Sequence, residues 1–139
     1  MTPNQITLIR HSFALVEPIA PQAAALFYSH LFAADPTLRP MFMGDMQMQG
    51  QRLMQMIAAA VSLLEHPGQL MPVLQKMGQR HAGYGVRDEH YGTVGAALLR
   101  TLADGLGERF TPEVREAWVA MYGVISRTMM DSAAEAMPA

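Results

Sequence analysis

The sequence of 139 residues contains no cysteine. That absence excludes a disulfide framework, a thiolate zinc site, an iron-sulfur cluster and a thiolate nucleophile, and leaves histidine, methionine and the carboxylates as metal ligands. Charge is scarce too: 16% of residues are charged and the net charge is -2, so there is no basic field for nucleic acid or anionic lipid. Long apolar runs are missing. The longest, Met56 to Val61, falls far short of the roughly 20 residues a membrane-spanning helix needs. The opening MTPNQITLIRHSF lacks the basic lead and apolar run of a signal peptide, so a cytoplasmic protein with no nucleic-acid or membrane partner is expected. Also absent are an apolar period of two and the turn signals of hairpins, which argues against sheet.

What is present is apolar spacing of three and four along almost the whole chain, which predicts an all-α protein. Thr2, Pro3 and Gln5 supply a helix cap, a first-turn proline and the second half of a capping box, so a helix is expected from there to about Glu17. A second is expected from about Pro21, with Ala24, Phe27, Tyr28, Leu31 and Phe32 on one side; Asp35-Pro36 then starts a short third that Phe42 closes. Beyond Gly44-Asp45, the spacing of Leu53, Met56, Ile57, Ala60, Val61 and Leu64 predicts an amphipathic helix to Glu65, stopped by His66-Pro67-Gly68. Between Gln69 and Ala82, Leu70, Val73, Leu74 and Met77 are expected to face inward, with His81 one turn beyond Met77 and Gly83 and Gly85 ending the helix. Tyr91, Val94, Leu98, Leu99, Leu102 and Leu106 mark a helix from Asp88 to Gly107. Thr111, Pro112 and Glu113 open the last, predicted to bury Val114, Ala117, Trp118, Met121, Tyr122 and Ile125. With about two-thirds of its surface to bury at this length and no repeat or linker, the chain is expected to form one domain over residues 1–139.

Six methionines fall within MFMGDMQMQGQRLMQM, as the pairs Met41/Met43, Met46/Met48 and Met54/Met56. Thioethers suit monovalent copper. Residues two apart on a helix project about 200° apart, however, so Met54 and Met56 cannot share an ion. No cysteine or histidine joins the other four. The segment reads better as the soft, polarizable wall of a cavity.

Six segments in order carry a resemblance: LFYSHLF, TLRPMF, QGQRLMQ, MGQRHAGYGV, EHYGTVG and EAWVAMYGV. Together they resemble the haem domain of bacterial flavohaemoglobins and their single-domain globin relatives. The resemblance implies a globin fold, three helices over three, around haem b (iron protoporphyrin IX). It implies His81 as the proximal iron ligand, with Met77 one turn earlier against the porphyrin, Phe42 stacked on it, and Tyr91, Val94 and Leu98 lining the pocket. Arg52 and Arg80 become candidates to pair with the haem propionates. On the distal side it implies Tyr28 and Gln49 as hydrogen-bond donors and Leu53 as wall, extended by Met56; Gln49 and Leu53, four apart, do share a helix face. The other histidines offer less: His11 and His30 fall on expected solvent faces, His66 in a turn, and His90 beside Tyr91.

One departure stands out. In flavohaemoglobins a glutamate joins the tyrosine and histidine beneath the iron, and the corresponding position here is Ala133; Asp131 and Glu135 lie about 200° round the helix from that face. The implied partners are dioxygen, nitric oxide and other small haem ligands. The implied activity is oxidation of nitric oxide to nitrate, with electrons from a separate flavin reductase, since no Gly-rich dinucleotide signature lies within the chain. Oxygen storage, transport or sensing without turnover is the alternative, and a haem-free helical interaction module or methionine copper binder a third.

Overall fold

The computed structural model describes residues 1–42 and 44–136, and among them every regular element is helical. Helix α1 (Pro3–Val16) opens with the capping box: the Thr2 hydroxyl accepts from the Gln5 N–H at 3.1 Å, and the Gln5 side-chain oxygen accepts from the Thr2 N–H at 2.9 Å. A single 3-10 turn, Glu17–Ile19, absorbs Pro18 and leads into α2 (Ala20–Ala34). The short third helix is a 3-10 segment, Pro36–Met41, whose C-cap is Phe42. Asp45 caps α3 (Met46–Ser62) by accepting from the Gln47 N–H at 2.9 Å. This helix stops three residues before the expected Glu65, where the Leu63 N–H is shared between the carbonyls of Ala59 and Ala60 and the chain tightens into a turn. Helix α4 (Pro67–Gly83), α5 (Asp88–Leu106) and α6 (Pro112–Ala136) complete the chain, with Gly107 at a φ of 57° ending α5.

The centre is aromatic and tied by one polar bond. Trp118, Ile9, Leu31, Leu74 and Met121 are the largest fully buried side chains, each worth roughly 1.5 to 3 kcal/mol or more of burial. The Trp118 indole N–H donates to the Ser12 hydroxyl at 2.8 Å, and Ser12 donates in turn to the Leu8 carbonyl at 2.7 Å, so α6 is registered against α1 without an unsatisfied buried donor. Around this centre α6 packs against α4, α1 and α5, while α2 packs against α5 and α3.

Two crossings are at backbone distance. A Cβ added at Gly78 would lie 2.3 Å from the Met129 carbonyl oxygen, so α4 and α6 touch main chain to main chain. One added at Gly50 would lie 2.9 Å from the Ala24 Cβ, which sets the separation of α3 from α2. The first crossing changes the face that α4 buries. Leu70, Leu74 and Gly78 go inward, and Val73, expected inside, is 36% exposed. Near the same crossing the Ser132 hydroxyl donates to the Gln75 carbonyl at 2.8 Å and accepts from the Gln79 amide at 3.3 Å. Among the described residues α3 and α4 share no comparable packing, and the candidate site residues lie on these two helices and on α2 and α5.

Candidate functional site

Helices α2, α3 and α5 and the 3-10 segment Pro36–Met41 with its cap contribute an aromatic and aliphatic cluster. Phe27, Tyr28, Leu31, Leu38 and Ala97 are buried, and Phe32, Phe42, Met46, Leu53, Val94 and Leu98 pack half-buried against them. The Tyr28 ring meets Phe42 edge-on at 5.3 Å between centroids and stacks with Phe32 at 5.9 Å. Its hydroxyl donates to the main-chain carbonyl of Gln49 at 3.3 Å, long for an O–H···O bond and therefore weak. Burial raises the Tyr28 pKa above the ordinary tyrosine value, so the phenol remains a proton donor at any physiological pH. Gln49 is half-buried, one turn before Leu53 on the same face.

Met46 was missed as a pocket residue by the reading of the sequence, although its spacing of three and seven from Gln49 and Leu53 puts it on their stripe. Met56, expected to extend that wall, is half-buried and packs against neither buried cluster; Met54 and Ile57 face the main core instead. Of the remaining methionines in the segment, Met41 is 39% and Met48 50% exposed, and Met43 lies outside the described residues. Among the described residues no group of three or more histidines and carboxylates gathers as a metal site.

His81 stands half-buried in the last turn of α4. Its Nδ1 lies 2.7 Å from the Met77 carbonyl oxygen; donation there makes Nε2 the nitrogen with the lone pair, the form a metal takes. The loop after it is closed by the Val86 N–H, which donates to the His81 carbonyl at 3.0 Å. Met77, Val86 and Leu98 pack half-buried against the large core that contains Tyr91, and Leu98 belongs to both clusters, bridging them.

Tyr91 is buried, and its hydroxyl is the one buried side-chain polar atom without a hydrogen-bond partner among the described residues. Burial first and the charge of Asp88 second push its pKa up. Its main-chain carbonyl accepts a bond of 2.6 Å from the Tyr122 hydroxyl, whose ring lies over Gly95 so closely that a Cβ there would be 2.6 Å from it. Burial, and then Tyr91, raise the Tyr122 pKa still more. Ala133 is half-buried on α6, and Asp131 and Glu135 are exposed.

Arg52 and Arg80 are exposed, and among the described residues neither pairs with a carboxylate. His30 differs from expectation: it is half-buried and its Nε2 lies 2.7 Å from an Asp104 carboxylate oxygen, linking α2 to α5. His90 serves the backbone, its Nδ1 accepting from the Arg87 N–H at 3.0 Å. His11 and His66 are exposed.

This donor set fits an iron porphyrin. These residues offer half-covered apolar side chains, one imidazole with its lone pair on Nε2, the Tyr28 phenol and a second buried phenol lacking an acceptor. No helix of the described residues is long and apolar enough to cross a membrane.

Comparison with known proteins agrees with that fit. The family model described as Globin matches residues 25–129. The flavohemoprotein of Bordetella parapertussis is 31% identical over 129 residues, a match covering 91% of this chain and 32% of that protein, so the chain spans about a third of such relatives. A bacterial globin from Campylobacter jejuni superposes with a TM-score of 0.83 at 26% identity, covering 96% of this chain and 97% of that one. The flavohemoglobin of Malassezia yamatoensis, solved with bound FAD and heme, superposes with a TM-score of 0.80 at 23% identity over 96% of this chain and 37% of that one.

Proposed function

The chain belongs to the globin family, and from that premise we propose that it binds haem b, holds dioxygen and converts nitric oxide to nitrate, drawing one electron per turnover from a separate flavin reductase. When bound, the haem supplies ferrous iron that takes dioxygen and joins it to nitric oxide, releasing nitrate and leaving the iron ferric. What supports this reading is the His81 imidazole, whose bond from Nδ1 to the Met77 carbonyl leaves the lone pair on Nε2, together with the buried Tyr28 phenol, which the reading takes to face each other across the haem.

Each residue then has a defined task. The Met77 carbonyl holds Nδ1–H and so fixes the orientation of the His81 ring. Tyr28, protonated and near the surface of α3, exchanges its long bond to the Gln49 carbonyl for a bond to an anionic acceptor. A hydrogen bond to a charged acceptor contributes about 1.5 to 3 kcal/mol, enough to slow loss of a bound gas by roughly ten- to a hundredfold. Gln49 is the second donor, and Phe42, Leu53, Val94 and Leu98 exclude water from the space between.

The test begins with the absorption spectrum of the ferrous protein under oxygen, followed by an equimolar pulse of nitric oxide. The expected result is stoichiometric nitrate and the ferric spectrum; oxygenated protein that leaves nitric oxide unconsumed overturns the proposal. His81→Ala is expected to lose the axial-imidazole spectrum. One observation favours a carrier or sensor instead: Tyr91 lacks an acceptor where flavohaemoglobins have a glutamate, which weakens electron donation through the imidazole. Sustained turnover with a reductase separates the two, because a carrier stops after one oxidation.

A further inference from the structure

The Tyr28 phenol is placed by rings rather than by its hydrogen bond. The 3.3 Å bond to the Gln49 carbonyl is too long to hold it firmly, whereas three aromatic contacts surround the ring: Phe27 edge-on at 5.2 Å, Phe42 edge-on at 5.3 Å, and Phe32 stacked at 5.9 Å with planes 21° apart. Phe27 is buried, but Phe32 and Phe42 are only half-covered, and they meet each other edge-on at 5.4 Å. What fixes these two rings therefore fixes the phenol.

Both rings lead to Arg39. Its guanidinium carbon stands over the Phe32 ring, 5.0 Å from the centroid, within the reach of a cation–π contact. Its main-chain carbonyl accepts from the Phe42 N–H at 3.0 Å. One residue thus holds one ring by its side chain and the other by its backbone. It is itself stiffly mounted: the segment Pro36–Met41 has prolines at positions 36 and 40, Leu38 as its buried anchor, and Asp35 as its cap, accepting from the Thr37 N–H at 3.0 Å. Among the described residues the Arg39 guanidinium pairs with no carboxylate, so its charge is left for the ring.

We propose that Arg39 is a positioning residue for Tyr28, acting through Phe32 and Phe42, and that it sets from an exposed position how firmly the phenol is presented to the candidate site. The positioning stands on these contacts alone. Its consequence for bound dioxygen rests on the proposed function, in which the Tyr28 hydroxyl is the donor and Arg39 never meets the gas. The effect is a modest one, because a cation–π contact at an exposed site changes an equilibrium by about two- to fivefold.

The experiment uses the full chain isotope-labelled on its tyrosine rings, as the ferrous carbon monoxide complex if the purified protein carries haem and as purified if it does not. The Tyr28 resonance is assigned by its loss in Tyr28→Phe. Arg39→Gln keeps the backbone carbonyl and removes the charge; the Tyr28 resonance is expected to move and its ring flips to quicken about two- to fivefold, while Arg39→Lys, which keeps a cation, restores both. In a Phe32→Leu background, Arg39→Gln is expected to change neither. With haem bound, oxygen dissociation in stopped flow should quicken by the same factor in Arg39→Gln and by nothing further when Arg39→Gln is added to Tyr28→Phe. An unmoved Tyr28 resonance in Arg39→Gln overturns the proposal, and so does a shift that survives in Phe32→Leu. An oxygen effect that persists without the Tyr28 hydroxyl overturns it too, since Arg39 would then act on the porphyrin directly. A chain that takes up no haem, or whose oxygen dissociation ignores Tyr28→Phe, sinks the proposed function and leaves the positioning to be decided by the ring resonances.

Discussion

The two sides of the candidate site, α4 and the α2–α3 cluster, are built to different tolerances. The α4 side is fixed to α6 by backbone contact at Gly78 and by the Ser132 bonds to Gln75 and Gln79, and it presents one imidazole held by its own helix. The α2–α3 side is a half-covered cluster of Phe32, Phe42, Met46 and Leu53, to which the long 3.3 Å bond from the Tyr28 hydroxyl to the Gln49 carbonyl adds only a weak polar link. Under the proposed function, the contrast would hold the iron ligand firmly while the other side adapts to the gas: close-packed backbone leaves little freedom, whereas thioethers and rings reorient at small cost.

The contrast is broken most severely at Gly78. In Gly78→Val the new side chain meets the Met129 carbonyl, and the helix pair must separate; a loss of about 3 kcal/mol and a fall in Tm of roughly 10 °C are expected by calorimetry, together with weakened haem retention. Tyr28→Phe sharpens the other half. It removes a donor with a weak native bond, so stability should change by less than about 1 kcal/mol, while oxygen dissociation in stopped flow quickens by about tenfold or more. A loss of stability with unchanged dissociation would reverse that assignment. Ser132→Ala should cost about 1 kcal/mol in denaturant unfolding, and leave oxygen dissociation within about twofold, because it loosens α4 without touching the distal wall.

The smallest effect within the physiological range concerns pH. Tyr28, Tyr91 and Tyr122 all have folded pKa values raised above the unfolded value of 10.0, so the folded state holds their protons more tightly. Their contribution is complete below the unfolded pKa and is lost as pH climbs through the folded values. Stability attributable to them is therefore flat up to about pH 10 and falls above it. The more strongly shifted Tyr122 should make the α5–α6 side the origin of alkaline unfolding, which hydrogen exchange can locate.

Much of the frame was legible in the sequence because helix ends carry local chemistry. The Thr2/Gln5 box, Pro112 and Gly107 each act through their own neighbours, and each marks the observed boundary. The inward face of α4 was not legible, since apolar spacing counts side chains and Gly78 has none; the close approach it permits turned the helix so that Val73 faces out. The resemblance brought together Tyr28, Phe42, Leu53, Val94 and Leu98, which do pack as one group. It could not reveal the bond from Tyr28 to the carbonyl of Gln49, 21 residues away, nor the exposure of Tyr84, because an aromatic between glycines reads equally as core or surface.

The contact between Gly50 and the Ala24 methyl has a consequence for ligand choice. Tyr28 follows Ala24 by one helical turn and Gln49 immediately precedes Gly50, so this backbone contact sets how far apart the stems of the phenol and the carboxamide stand, while their side chains remain adjustable. A bulkier residue at position 24 would act as a shim, widening that separation while leaving both groups chemically intact. Under the proposed function, selectivity among gases of different size would thereby be set at a point remote from the gas itself.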